Sequence, residues 1–533
     1  MNSIQKNRTF FLKNKLFLLV FVVWAISLSF RMSTYDPTMP IVMDSLNFFS
    51  YAIDIHVLGG LPENYTVSKP GWSILLAGLF SIFDFSETDS YMQLQRITSI
   101  IISSVIIFPL YFLCNVFVEK KYSIIGVTLF AFAPRLIENS MNGTTDPLFI
   151  LFLTMTILFF LKNSKKSIYI SFLIAGISAI IRPEGLFLFL AIAFLLIFKF
   201  KNEKFKFPKY LLAIIIFVIV LLPFALYTEH VNPGTSSFSR IIYSAAQYFQ
   251  TSDEEVYTTS DGRSFIAAKI SATTGLEYFG KYLLWVMIPM FIITAPIGFL
   301  LFLKNRSYAR ISIIVIAITV SIPAFYAYSF PLTETKYLYF LLPLFTIFSV
   351  LPIKLFIEKF QKKNIIISIV LSIIILSGTL FYYYQFDTSH DKESMLIAKH
   401  IVDNTTTVNT YHPESLFIKS LDIPQQWSDL TYSFESAERI KHPTYVPLPH
   451  EIIRINPDVF ESVESLILEN DKRFSHLIAD SMDNRPEFLK DIFENEDKYP
   501  YLIKEWDSKD EGFAYHVKIF KIDYAIFNLE IEK

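Results

Sequence analysis

The sequence predicts an α-helical polytopic membrane protein of about eleven transmembrane helices with a carboxy-terminal α/β domain, and three observations predict it. Apolar residues gather in eleven long runs: 16–30, 97–117, 122–134, 147–161, 167–181, 186–198, 210–228, 282–303, 311–330, 337–353 and 364–382. The connecting loops sort by charge. One alternating set, 1–15, 119–121, 162–166, 199–209, 304–310 and 354–363, holds 21 Lys and Arg against the three acids Glu119, Glu203 and Glu358. The other set, 31–96, 135–146, 182–185, 229–281 and 331–336, holds 10 Lys and Arg against 17 acids. Beyond residue 382 the chain turns charged and periodic like an ordinary globular domain.

Basic loops are retained on the cytoplasmic side of a bilayer, so the first set is expected inside and the second outside. The amino terminus is then cytoplasmic, the carboxy-terminal domain external, and the cell membrane the expected location. Lys6, Arg8, Lys13 and Lys15 before Leu16–Phe30 resemble a signal peptide, but no small-x-small cleavage pattern follows and Phe30, Arg31 and Met32 are bulky. The segment is expected to stay as the first span. A content of 53% hydrophobic residues and a mean hydropathy of +0.42 exceed those of a soluble domain. The net charge of −2 gives no support for a nucleic-acid partner. Cys114 is the only cysteine, which excludes an internal disulfide and a thiolate metal site.

The first external loop, 31–96, is too long to lack structure of its own. Asp44–His56 places Leu46, Phe49 and Ile53 at helical spacing, and Pro70 to Phe83 forms a second apolar helix. Both are expected to lie along the membrane surface. The loop 229–281, with Asp253, Glu254, Glu255 and the turn Asp261-Gly262, reads equally as a lid or recognition loop or as a solvated spacer. The domain boundary falls at 382/383. In 383–533, Asp391–Asp403 and Pro457–Glu469 read as amphipathic helices, and Ser475–Ala479 and Phe513–Ile522 as strands. Three sequons, at Asn64, Asn142 and Asn404, fall in the external set, where modification is permitted.

The residues suited to chemistry lie in that same external set. Asp44 opens a predicted surface helix, where a carboxylate serves as a general base or simply as a cap. Glu138 and Asp146 share a short loop. Asp146 precedes Pro147 and reads as a cap or, with Asp44, as an oxygen ligand for a divalent cation such as Mg or Mn. Lys69, Arg182 and Lys336 stand against the topological charge bias and need partners. A phosphate is one, since cations stabilise the charge on a departing phosphate oxygen. Local ion pairs, Arg182 with Glu184 and Lys336 with Glu334, are the other.

In this order the residues resemble the GT-C superfamily of membrane glycosyltransferases, in particular its protein O-mannosyltransferase and aminoarabinose-transferase branch. The resemblance covers roughly residues 10–380. Asp44 through Tyr51-Ala52 is similar to the family's acidic first-loop motif, with Ser45 in place of Glu. Lys69-Pro70-Gly71 resembles its Lys-Pro-Pro, Thr145-Asp146-Pro147-Leu148 its Ser/Thr-Glu-Pro-Leu, Arg182 to Gly185 its Arg-Pro-Glu-Gly, and Lys336-Tyr337 its Arg-Tyr. The resemblance implies inverting transfer of a single sugar from a polyprenyl (dolichyl) phosphate donor to an external acceptor, whether protein, glycan or lipid. By carry-over, Asp44 is the base, Lys69 with Arg182 or Lys336 holds the lipid phosphate, and Asp146 orients Asp44's neighbourhood or binds a metal. Branches differ in metal dependence, so no cofactor is assigned. An oligosaccharyltransferase is the near alternative, but its Trp-Trp-Asp is missing, the nearest string being Gln-Gln-Trp427-Ser-Asp429. A transporter or lipid flippase is disfavoured because the runs are nearly free of charge.

Overall fold

The computed structural model describes residues 2–39, 41, 44–63, 66–67, 69, 70–83, 85, 88–162, 164–200, 206–234, 239, 256–258, 264–266, 272–304, 306–330, 334–410, 417–418, 421, 451–454, 460–470, 474–483 and 485–532. Asn64, the acidic cluster at 253–255, the turn at 261–262 and the 425–429 string lie outside the described residues.

All eleven apolar runs fall on helix. Among the described residues six stretches are long and apolar enough to cross a membrane: Lys15–Thr34, Asp89–Cys114, Phe207–Val231, Tyr308–Ser329, Thr335–Glu358 and Lys363–Gln385. The remaining runs lie on helices shorter than the roughly twenty residues of a full crossing, among them Lys120–Ala131, Asp146–Leu161, Lys165–Ile181 and Glu184–Lys199.

Three runs are interrupted, and a proline accompanies each break. Pro109 lacks an N–H and crowds the carbonyl four residues back, and the chain parts into Thr88–Val105 and Ile107–Cys114. Pro289 lies between Ala272–Met287 and Thr294–Lys304. Pro343 sits in the first turn of Leu342–Glu358, preceded by a 3₁₀ turn, Thr335–Leu341, that carries Lys336 and Tyr337. Proline is not sufficient alone, since Pro223, Pro323 and Pro352 remain inside helices.

The chain divides into two compact units. The first comprises Met1–Tyr35, Leu58–Leu79 and Gln95–Phe386, and holds most of the helices. Its interior is lined by large side chains such as Trp72, Tyr122, Phe130, Phe149 and Phe160. Cys114 is buried there at 1% exposure, and a Cβ on Gly126 would lie 3.0 Å from its Sγ.

The second unit comprises Asp36–Val57, Phe80–Leu94 and Asp387–Lys533. Its five-stranded sheet runs Glu451–Arg454, Thr407–Thr410, His476–Asp480, Val517–Ile522, Leu502–Asp507; the first three strands are parallel and the last two antiparallel to their neighbours. The period of two explains its layers. Leu477 and Ala479 join Leu466, Ile467 and Phe520 on one face, while Ile478 joins Ile397, Ile401, Val517 and Ile519 on the other. Both faces are therefore buried, as an α/β sandwich requires. The predicted helices appear as Ser389–Asn404 and Val463–Glu469, and the strand expected at Ser475–Ala479 is displaced by one residue.

Candidate functional site

Helices Lys165–Ile181 and Glu184–Lys199 form a hairpin whose corner is Arg182-Pro183. Arg182 is extended and its N–H closes the last turn onto the Ser178 carbonyl at 2.9 Å. Pro183, at φ −62°, starts the next helix at no hydrogen-bond cost. A Cβ on Gly185 would sit 2.4 Å from the Ala179 backbone nitrogen, so only glycine lets the two helices close at this corner.

The corner aims a buried guanidinium at two buried carboxylates. Arg182 Nε and Nη2 donate to Glu184 at 3.1 and 2.7 Å, and Nη1 donates to Asp146. Arg182, Glu184 and Asp146 are 4%, 4% and 5% exposed. Burial alone would lower the Arg182 pKa, but Glu184 and then Asp146 outweigh it and hold the value above the ordinary range. For Glu184, burial works to raise the pKa and Arg182 overcomes it, leaving the carboxyl below its usual range. Asn139 Nδ2 donates to the other Asp146 oxygen at 3.4 Å. Asp146 thus spends its oxygens on Arg182 and Asn139, and the local pair Arg182–Glu184 forms as well.

Lys69 joins this group through the first loop. A Cβ on Gly71 would lie 2.9 Å from Ile181 Cγ1 and 3.1 Å from the Ile180 carbonyl, which brings the Lys69-Pro70-Gly71 turn against the residues that precede Arg182. Lys69 is half-buried and within electrostatic range of Glu184. Trp72, fully buried, donates its Nε1 to the Gly143 carbonyl at 2.9 Å, and Gln95 Nε2 donates to the same oxygen at 2.8 Å. The Trp72 bond ties the helix that follows Lys69, and the Gln95 bond ties Thr88–Val105, to the stretch between Glu138 and Asp146.

Glu138 is half-buried in Pro134–Met141 and accepts from Asn142 Nδ2 at 3.5 Å. Desolvation, opposed by Arg135 and reinforced by Asp146, pushes its carboxyl up to about 7. Tyr339 and Tyr382 lie within electrostatic range of it. Lys336 pairs with Glu334 at 2.5 Å, and its neighbour Tyr337 is within range of Arg182.

One unit therefore gathers Lys69, Asp146, Arg182 and Glu184, with Glu138 in range of Asp146 and Lys336 beside Tyr337. Asp44 belongs to the other unit. It is the exposed first residue of Asp44–Leu58, whose Leu46, Phe49 and Ile53 are buried as their spacing predicts. Sequence reasoning passed over Arg135 and Asn139. Arg135 had a readable signal, since it breaks the same charge bias that singled out Lys69, Arg182 and Lys336.

The donor set does not fit a divalent cation at Asp146, because a guanidinium and an amide hold its oxygens. Among the described residues no three or more His, Cys, Asp or Glu are grouped to hold a metal.

Residues 69–227 match the dolichyl-phosphate-mannose-protein mannosyltransferase family. No curated protein matches the chain. Among solved structures, ArnT from Cupriavidus metallidurans bound to undecaprenyl phosphate superposes with a TM-score of 0.54 at 10% identity, over 95% of this chain and 97% of that one. The Archaeoglobus fulgidus oligosaccharyltransferase, solved with Zn and sulfate, gives 0.54 at 12% over 87% and 68%. The archaeal oligosaccharyltransferase AglB from Archaeoglobus fulgidus, with an inhibitory peptide and a dolichol-phosphate, gives 0.54 at 12% over 88% and 70%. At such identities the superpositions establish the fold. With the family match across the segment that carries Lys69, Asp146 and Arg182, and with the apolar helices, they show an integral, multi-pass membrane protein with the GT-C glycosyltransferase fold.

Proposed function

We propose that the enzyme transfers one sugar from a polyprenyl phosphate to a nucleophile on the non-cytoplasmic side of the membrane, with inversion at the anomeric carbon. The observation that carries this reading is the buried Asp146–Arg182–Glu184 cluster with Lys69 in range of it. Two acids already neutralise Arg182, so we assign it to positioning: it fixes Glu184, which in turn fixes Lys69. Lys69, with Lys336 as a second cation, then meets the donor phosphate. Asp44 accepts the proton of the acceptor's hydroxyl or amide while that group's oxygen or nitrogen bonds to the anomeric carbon. The bond from that carbon to the phosphate oxygen breaks with its electron pair on the phosphate, where cations stabilise it.

The nature of the donor is supported by ArnT and AglB, whose structures hold undecaprenyl phosphate and dolichol-phosphate. In extent the chain is nearer to ArnT than to an oligosaccharyltransferase: the match spans 97% of ArnT but 68–70% of the archaeal enzyme. We further propose that 383–533 forms an external domain and that the membrane is the cell membrane. Purified protein given labelled polyprenyl-phosphate sugars tests the reading. Asp44→Asn is expected to lose about 10²–10⁴-fold in turnover, and Lys69→Ala to raise the KM for donor. Equal transfer by wild type and Asp44→Asn removes Asp44 from its role.

A further inference from the structure

A second charged site lies at the opposite end of the first unit. Between Ile107–Cys114 and the turn joining Thr294–Lys304 to Tyr308–Ser329 is a cleft of about 450 Å³, lined by Val116, Phe117, Arg306, Ser307, Ala309 and Arg310. Its distance from Arg182 follows from one helix. Tyr308–Ser329 begins at the cleft, and its Tyr328 packs edge-on against Tyr337, which is in range of Arg182. Twenty-two residues at about 1.5 Å each span roughly 33 Å, about the hydrocarbon thickness of a bilayer.

The lining holds two arginines and no acid. Arg310 is held in place: Nη1 donates to the Leu301 carbonyl at 3.3 Å, and its guanidinium lies 5.1 Å from the Phe302 ring, which packs on Phe117 at 5.2 Å. Arg306 is exposed and has no ion pair among the described residues. Val116 in the lining is 45% exposed, and on the two helices that the turn joins Leu300 at 65%, Leu303 at 45% and Ile311 at 43% are open to the surroundings. A cation pair, a cleft of ligand size and an adjoining apolar wall match one kind of molecule, an amphiphile with an anionic head.

We infer that this cleft binds an anionic glycerophospholipid, with the phosphate between Arg306 and Arg310 and an acyl chain along Leu300, Leu303 and Ile311. A zwitterionic lipid is disfavoured because its ammonium would face the two guanidiniums. The site serves retention of a boundary lipid at the face remote from transfer, and it does not depend on the donor chemistry proposed above.

The test uses full-length protein in a non-ionic detergent, titrated with phosphatidylglycerol, with phosphatidylcholine and with sodium phosphate, and read by native mass spectrometry and thermal unfolding. Wild type is expected to retain phosphatidylglycerol at roughly tenfold lower concentration than phosphatidylcholine, and sodium phosphate alone is expected not to protect. Arg306→Ala and Ala309→Glu are expected to abolish the preference, Arg306→Lys to keep most of it, and Lys359→Ala, a lysine outside the cleft, to leave it within about twofold. Equal retention of the two lipids, or a preference that survives Arg306→Ala and Ala309→Glu, overturns the proposal. Protection by sodium phosphate equal to that by lipid overturns the lipid as its source. Unfolding temperatures without lipid separate loss of binding from loss of fold.

Discussion

A carboxyl that holds its proton near neutrality makes Glu138 the residue with the most direct signature in solution. Its pKa is pushed up to about 7, against about 4.3 for a free glutamate. Between those values the folded protein keeps a proton that the unfolded chain has released. The stabilising contribution is therefore complete at the acid end of the window and is lost as pH rises through 7. Wild type is expected to lose unfolding temperature from pH 5 to 8 relative to Glu138→Gln, which stays neutral throughout. A difference between the two that is flat across this range contradicts the assignment. Type and place alone single out Glu138, Asp146, Lys69, Arg182, Glu184 and Lys336. Their pairing is not legible in this way, because Asp146 and Arg182 are 36 positions apart and no local pattern joins them. The cap predicted for Asp146 was reasonable for an Asp before Pro, yet a buried guanidinium is the stronger partner.

At the scale of elements, the site depends on how tightly one helical hairpin closes. Gly185→Ala would put a methyl group 2.4 Å from the Ala179 nitrogen, so the helices must part and Arg182 must move with them. Gly78, in Pro70–Phe83, has nothing within 4 Å of an added Cβ, and Gly78→Ala is expected to be neutral or stabilising by up to about 1 kcal/mol. The pair should diverge in one experiment: transfer rate and unfolding temperature fall for Gly185→Ala and hold for Gly78→Ala. Equal behaviour of the two would mean that the corner tolerates opening. Helices were legible wherever apolar runs were long, since the run itself is the signal. Their breaks were not, because Pro109, Pro289 and Pro343 interrupt helices whereas Pro223 and Pro323 do not. Neighbouring packing decides between those outcomes, and it is invisible in a run of letters.

For the whole molecule, the sequence separates a membrane part from a soluble tail at residue 382, whereas compactness groups Asp36–Val57 and Phe80–Leu94 with the tail. Composition cannot reveal this, because those segments belong to the first external loop and lie far from the tail in the chain. The proposed topology remains open to direct measurement. Cysteines placed singly at Glu487 and Arg306 should react with a membrane-impermeant maleimide on intact cells at the first position only, and at both after permeabilisation. Labelling at position 306 on intact cells would invert the orientation.

That measurement is easier than for most transporters and membrane transferases, because Cys114 is the sole native thiol and is sealed among side chains at 1% exposure. The wild-type chain is already a silent background for thiol probes. A fluorophore or spin label at any chosen surface position reports on that position alone, with no native residue first removed.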